Sequence, residues 1–278
     1  MSTIGPSTIV VGLDGSPSSV AAARYALAEG DRRGITVIGL AVLTDALGLG
    51  RDDTLDGEKA EALRLHVSGA LSDAGLVLDE IIVAAGQPAP TLCDTAAPAA
   101  MLVLGARGLG GFAALLLGST TSSCVAEARC PLVVVPTAAV IDEPLKGRIV
   151  VGIDGSTGAV DALRFAVMTA STRTATVVEA MSVWRKPHLW EPIQGGPEYY
   201  ERIALDHLHE ALAAIGETDV PLTSTSRSGH VVEELLEAGE SADLVVIAND
   251  RREGGRLDRT ATPVALVSHA TCPVVILP

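Results

Sequence analysis

The first half of this 278-residue sequence is repeated in the second half. Val10–Ser16 reads VVGLDGS and Val150–Ser156 reads VVGIDGS, so six of seven residues are identical at an offset of 140. The segments that close each half, Cys130–Pro136 and Cys272–Pro278, also match closely. The repeat predicts two copies of one domain, and it allows the copies to be compared residue by residue.

We place the two domains at residues 1–138 and 146–278, each large enough to bury its own core. The segment between them, around residues 137–147, is polar and has no hydrophobic period, which is typical of a linker. Hydrophobic residues make up 48% of the chain and aromatic residues only 3%. The core must therefore be aliphatic, which suits parallel strands covered by helices.

The net charge of −14 argues against two classes of partner. Nucleic acid and anionic membranes both attract basic surfaces, so we expect neither as a partner. The simplest alternative is that the acidic surface keeps the protein in solution. We find no secretory leader and no C-x-x-C pair, so we expect a cytoplasmic protein. Cys130 and Cys272 are expected to be small buried apolar side chains rather than reactive thiols.

Strand patterns alternate with helix patterns throughout both halves. This order predicts an α/β fold with parallel strands and right-handed crossovers. In the first half the predicted strands are 8–14, 36–43, 76–84, 101–104 and 132–135, with helices at 17–33, 58–74, 90–97 and 119–128. In the second half the strands are 148–153, 175–183, 220–226, 243–247 and 273–277, with helices at 157–171, 198–215, 230–240 and 261–269.

A glycine-rich loop follows the fourth strand of the first half. It contains Gly105 and Gly108 and, nine residues later, Gly118, which precedes Ser119 and Thr120 at the start of a helix. Glycines allow backbone N–H groups to approach a ligand closely, and a helix N-terminus favours an anion. One interpretation is therefore a phosphate-binding loop. The other is a surface loop that needs glycines to turn, with Ser119 capping the helix.

Asp14 stands at the carboxyl end of the first strand. In open α/β sheets, ligands bind at these ends, where the strand order reverses. Asp14 would then face the Gly105 loop and suit ribose hydroxyls or an amino group. Alternatively it serves the local turn before Ser16. Arg107, inside the loop, either reaches a phosphate or points to solvent.

These motifs together resemble the universal stress protein family in its tandem two-domain form. The family signature G-x2-G-x9-G-[ST] fits Gly105, Gly108 and Gly118-Ser119 without a gap, and Gly12 and Asp14 lie in an opening VGLDGS that also looks like the family. The resemblance covers nearly the whole chain. It implies two tandem doubly wound domains, each a five-stranded parallel sheet of order 3-2-1-4-5 flanked by helices.

The resemblance also implies ATP as the ligand. Because the protein is acidic, we expect local dipoles, and Mg²⁺ arriving with the nucleotide, to offset its field. Asp14 would contact the adenosine end, Val42 would meet adenine, and Leu104 with the glycine loop would line the pocket. Gly118, Ser119 and Thr120 would hold the phosphates. A homodimer and an unidentified protein partner are further expectations from the family.

The second half departs from the signature. With one residue deleted, Ala248, Arg251, Thr260 and Ala261 replace Gly105, Gly108, Gly118 and Ser119. Asp250 and Glu253 add negative charge beside the position of a phosphate. We therefore predict a weak or empty site in this half. The rival interpretation is a different anion contact, made by Arg251, Arg252 and Arg256.

The sequence favours a nucleotide-binding regulatory protein over an enzyme. The G-x4-G-K-[ST] and G-x-S-x-G motifs are missing, and the six histidines are scattered, so we expect neither a P-loop mechanism nor a metal site. No general base or arginine finger is evident, so any ATP hydrolysis would be very slow. The alternatives are a scaffold that binds no nucleotide and an adenylating enzyme, which would need a further substrate pocket.

Overall fold

Strands and helices alternate along the whole chain, as the sequence predicts. The computed structural model describes residues 3–44, 57–108, 116–137, 145–185, 196–249 and 261–278. The chain divides into two compact units, residues 1–141 and 142–278, and each contains one copy of the repeat.

The first unit is a five-stranded parallel sheet with the order β3-β2-β1-β4-β5, which confirms the fold class. Its strands are β1 (Thr8–Leu13), β2 (Thr36–Leu43), β3 (Glu80–Ala85), β4 (Met101–Gly105) and β5 (Leu132–Val135). Its helices are α1 (Pro17–Arg33), α2 (Gly57–Asp73), α3 (Pro88–Ala96) and α4 (Ser119–Glu127).

The second unit repeats this arrangement, with the order β8-β7-β6-β9-β10 and all strands parallel. Its strands are β6 (Arg148–Gly152), β7 (Val177–Trp184), β8 (Leu222–Ser228), β9 (Leu244–Ala248) and β10 (Val274–Leu277). Its helices are α5 (Thr157–Ser171), α6 (Pro197–Ile215), α7 (Val231–Glu240) and α8 (Ala261–His269). Within the part of the chain that the structure describes, no helix combines the length and apolar character needed to cross a membrane.

The central strands carry the core of each unit. Every residue of β1, β4 and β5 is buried, because helices cover both faces of the sheet. Cys130 and Cys272 are buried as predicted, and desolvation raises the pKa of each thiol to about 11. A hydrogen bond with Cys93, followed by desolvation, raises the pKa of the Cys124 thiol. These three thiols are protonated at neutral pH, which disfavours reactivity.

The main error of the sequence prediction is the start of the third strand. It was expected at Leu76, but β3 begins at Glu80. The N–H of Leu76 still donates to the carbonyl of Leu71 (2.9 Å), which belongs to the C-terminal end of α2. The chain reaches β2 only where Glu80 pairs with Ile38. The segment that begins at Leu76 therefore first completes the C-terminal end of α2 and joins the sheet only at Glu80.

Candidate functional site

The turn after β1 uses one oxygen of Asp14. Oδ1 accepts a hydrogen bond from the N–H of Ser16 (3.0 Å), and the Ser16 hydroxyl in turn accepts from the N–H of Ser19 (3.1 Å) to cap α1. Gly15, which lies between Asp14 and Ser16, has φ 81°, a backbone conformation that favours glycine. This is the turn role that the sequence left open for Asp14.

The second oxygen of Asp14 faces the glycine loop. A Cβ atom added to Gly108 would overlap Oδ2 of Asp14, so the carboxylate lies directly against the Gly108 backbone. Strand β1 pairs with β2 on one side and with β4 on the other, which makes this edge the point where the strand order reverses. Asp14 therefore supports the turn and also lines the crevice.

Gly105 is needed for packing against α1. A Cβ atom there would lie 2.5 Å from the carbonyl oxygen of Ser18, closer than atoms approach each other in proteins. The Ser18 hydroxyl accepts a hydrogen bond from the N–H of Arg107 (3.1 Å), and the Thr121 hydroxyl donates to the carbonyl of Gly105 (2.8 Å). Gly105, the first glycine of the signature, thus lies where β4 contacts both α1 and α4.

The amino end of α4 has no side-chain cap. Gly118 occupies the N-cap position and offers no side chain to the first turn, while its own N–H donates to the carbonyl of Ala106 (2.8 Å). Ser119 is exposed and Thr120 is half-buried at the start of the helix. Helix N-termini leave N–H groups without helical partners, so this turn can receive an anion.

Arg107 turns toward its own loop. Its Nε donates to the carbonyl of Leu116 (3.2 Å), across the gap between the two described ends of the loop. Arg107 remains exposed, as one of the two expectations for it has it, and its contact with a phosphate stays a prediction. Residues 109–115 of the loop lie outside the described residues.

Gly12 and Leu104 form the floor beneath the crevice. A Cβ atom on Gly12 would overlap the Leu104 side chain, and Leu104 is only 4% exposed. Val42 is half-buried near the end of β2, where it pairs with Ala84 of β3. Gly12 and Leu104 therefore contribute packing below the site, and the contact of Val42 with adenine stays a prediction.

Sequence reasoning missed a histidine contact that both units share. A Cβ atom on Gly15 would overlap the imidazole of His66 on α2, and one on Gly155 would overlap His207 on α6. Gly155 also repeats the positive φ of Gly15, at 84°. The histidines appear scattered along the sequence when the two halves are not aligned with each other. His66 and His207 lie 141 residues apart, one more than the offset of the motif, so an alignment of the two copies that allows one inserted residue pairs them.

The second unit keeps the turn and has a cavity beside it. The N–H of Ser156 donates to Asp154 Oδ1 (3.0 Å), and the Ser156 hydroxyl accepts from the N–H of Ala159 (3.1 Å). A cavity of about 490 Å³ lies at the carboxyl ends of β6 and β9. The substitutions predicted at positions 250–260, including Asp250, Arg251, Arg252, Glu253, Arg256 and Thr260, lie outside the described residues.

Among the described residues, no three His, Cys, Asp or Glu side chains form a group that could hold a metal ion. In the first unit, the described crevice contributes the Asp14 carboxylate and the first turn of α4. These groups suit a ligand with donor groups at one end and an anion at the other.

Comparison with known proteins agrees with the repeat. A sequence profile of the universal stress protein family matches residues 6–136 and again 147–278. A universal stress protein of Mycobacterium tuberculosis is 32% identical over 296 residues and covers 96% of each chain. The crystal structure of a universal stress protein from Archaeoglobus fulgidus covers 98% of both chains at 19% identity with a TM-score of 0.69, which supports the fold.

Proposed function

Because the chain belongs to the universal stress protein family, we propose that it binds ATP in its N-terminal domain and acts as a regulatory protein in the stress response. The observation that carries this proposal is the position of Asp14. One carboxylate oxygen is held by the turn, and the other lies against Gly108 at the point where the strand order reverses. An acceptor fixed in this way suits the ribose hydroxyls of a nucleotide.

The phosphates would lie at the amino end of α4. Gly118 leaves this turn without a side-chain cap, and Ser119 and Thr120 add hydroxyl donors beside the free N–H groups. The helix dipole supplies partial positive charge there, which offsets the unfavourable net charge of the protein. Mg²⁺ would arrive with the nucleotide, since the described residues form no metal site of their own.

We further propose that ATP acts as a signal rather than a substrate. A ligand that binds the folded state stabilises it and shifts the population of conformers, so the ATP level could control recognition of a protein partner. The same proposal places the protein in the cytoplasm as a homodimer. The sequence has no G-x4-G-K-[ST] motif, and no general base or arginine finger is evident in it. We therefore expect very slow hydrolysis at most.

A pair of matched variants tests the ATP site. Ser119→Asp and Ala261→Asp place the same carboxylate on the exposed first residue of α4 and of α8. A negative charge suits a helix N-terminus, so both variants should fold. Repulsion between like charges should weaken ATP binding by about tenfold or more in Ser119→Asp, while Ala261→Asp should bind like the wild type.

Equilibrium dialysis with labelled ATP measures both affinities directly. Undiminished binding in Ser119→Asp, or equal loss in both variants, would contradict the assignment of the phosphates to α4. If the wild-type protein binds no ATP, the alternative of an interaction scaffold made of two related domains becomes the better account.

A further inference from the structure

Three of the four cysteines of the chain lie together in the first unit. Cys93 is on α3, Cys124 is on α4 and Cys130 precedes β5, and all three side chains are buried. The thiols of Cys93 and Cys124 are hydrogen-bonded to each other, and Cys124 Sγ also lies 3.9 Å from the carbonyl oxygen of Ala89, one turn before Cys93. The two sulfur atoms therefore meet where α3 packs against α4.

Cys130 belongs to the fold that the two copies share. Its counterpart Cys272 opens the closing segment of the second unit and is also buried. The alignment through these two cysteines places Leu266 at the position of Cys124, and both of these side chains are fully buried. The second copy thus fills this position of the core with an aliphatic side chain.

The position of Cys93 is also occupied by a leucine in the second unit. Leu92 and Leu235 contact the equivalent glycines beneath the turn of each unit, so the residues that follow them, Cys93 and Leu236, correspond. Because leucines fill both positions in the same fold, packing does not require cysteine there. The copy with the complete glycine signature is the one that has two facing thiols in their place.

We propose that Cys93 and Cys124 are a redox pair, which hydrogen peroxide converts to a disulfide and a low-molecular-weight thiol restores by exchange. Peroxide oxidises one thiol to a sulfenic acid and is itself reduced to water. The other sulfur then attacks the sulfenic sulfur, the S–O bond breaks, and the hydroxyl group leaves as water with the proton of the attacking thiol. Two thiols and one peroxide thus give one disulfide and two water molecules.

The burial of the pair determines when it reacts. Both sulfur atoms are shielded from solvent while α3 and α4 are packed together. Reaction with peroxide therefore requires local separation of the two helices, so it should be slow and should respond to sustained rather than brief oxidation. A ligand that holds α4 in place should slow it further.

A disulfide would act on the helix assigned to the phosphates. Cys124 lies four residues after Thr120, on the same face of α4. The bond is shorter than the contact between two thiols, so it draws α4 toward α3. The Thr121 hydroxyl holds the first turn of α4 on the carbonyl of Gly105, and this movement would disturb that turn. The expected consequence, weaker binding of ATP, rests on the proposed function.

Tryptic peptides report the disulfide directly in the full-length protein. Trypsin cleaves after Arg107 and Arg129, so each cysteine of the first unit falls on a different peptide: 65–107, 108–129 or 130–146. The folded protein is incubated with hydrogen peroxide, and free thiols are then blocked in denaturant. Mass spectrometry should find the first two peptides linked by a bond that reduction removes, while Cys272 stays a free thiol.

Single variants test the pairing. Cys93→Ala and Cys124→Ala should each abolish the linked peptide, while Cys130→Ala, the matched control, should retain it. Persistence of both cysteines as free thiols after prolonged exposure to peroxide would overturn the proposal. A link to the peptide 130–146 in the wild type would do the same.

Dialysis with labelled ATP tests the effect on the site. Oxidised wild-type protein should bind ATP about threefold or more weakly than the reduced protein, and Cys124→Ala should bind equally before and after peroxide treatment. A disulfide that leaves the affinity unchanged would refute control of the site by the pair. If the reduced protein binds no ATP while the linked peptide forms, the proposed function fails and the redox pair stands.

Discussion

The glycines of the signature meet three different physical requirements. Gly105 allows β4 to approach the backbone of Ser18, and Gly108 leaves room for the carboxylate of Asp14. Gly118 is under neither constraint, because a Cβ atom there would meet its nearest neighbours at 3.5 Å, an ordinary contact distance. Of the three, Gly118 is thus the glycine whose lack of a side chain the described residues do not explain. A ligand near the start of α4 would explain it.

Replacing Gly105 should therefore destabilise the first unit before any ligand is considered. In Gly105→Ala the new methyl group would lie 2.5 Å from the carbonyl carbon and oxygen of Ser18, which belong to the backbone of α1 and cannot rotate away. Overpacking of this kind costs about 1–3 kcal/mol. Urea unfolding should show the transition of the first unit at lower denaturant concentration.

The second unit supplies the control for this prediction. Ala248 already occupies the equivalent position at the end of β9, so Ala248→Gly removes a tolerated methyl group and should cost no more than about 1 kcal/mol. Unchanged stability of Gly105→Ala would mean that α1 moves aside easily, and the packing role of this glycine would be wrong.

At the scale of elements, helices α1 and α5 begin in the same way. Ser16 and Ser156 each accept a hydrogen bond from the N–H three residues later, at 3.1 Å in both units. An N-cap serine contributes about 1 kcal/mol, so Ser16→Ala and Ser156→Ala should each lower the stability of their own unit by about this amount.

Calorimetry or urea unfolding of the two variants checks this prediction. Ser72→Ala, on the exposed surface of α2, is the control, and its effect should stay within about 0.5 kcal/mol. The capping role would be refuted for any unit whose serine variant behaves like Ser72→Ala.

The order and type of the elements could be predicted from the sequence because each helix and strand has a local signal. Ser16 and Pro17 mark the start of α1, and Gly34 marks its end. The start of β3 could not be predicted, because the apolar run from Leu76 has the same pattern whether it bonds to α2 or to β2. Hydrophobic pattern reports burial but does not identify the partner.

The site could be predicted only in part, for a related reason. A motif locates Asp14 and Gly108 near each other once the strand order is known, since both follow neighbouring strands. The contact of Gly105 with Ser18 and that of Arg107 with Leu116 depend on how helices and loops pack over the sheet. No local spacing encodes such packing. The paired histidines, His66 and His207, needed the comparison of the two copies.

For the whole molecule, the two copies retain the same fold while their sites differ. Both keep the Asp-Gly-Ser turn, the serine cap and the histidine over the glycine, so these features belong to the fold or to a shared part of the ligand. At the start of α8, Ala261 replaces Ser119 of α4, while Thr262 keeps the hydroxyl of Thr120, so one of the two hydroxyls expected to bind phosphate is lost in the second copy. We therefore expect the second copy to bind ATP more weakly than the first.

Hydrogen exchange should show which of the two copies binds ATP. ATP at about 100 times its Kd should stabilise the first unit by about 2.7 kcal/mol, and slow exchange in the turn at 14–19 and the start of α4. Mass spectrometry of peptides measures the change in exchange, with Ser119→Asp as the control that should lose the ATP response. Protection by ATP confined to the second unit would reverse the assignment of the site. Equal protection of both units would show that the loss of the Ser119 counterpart does not impair nucleotide binding.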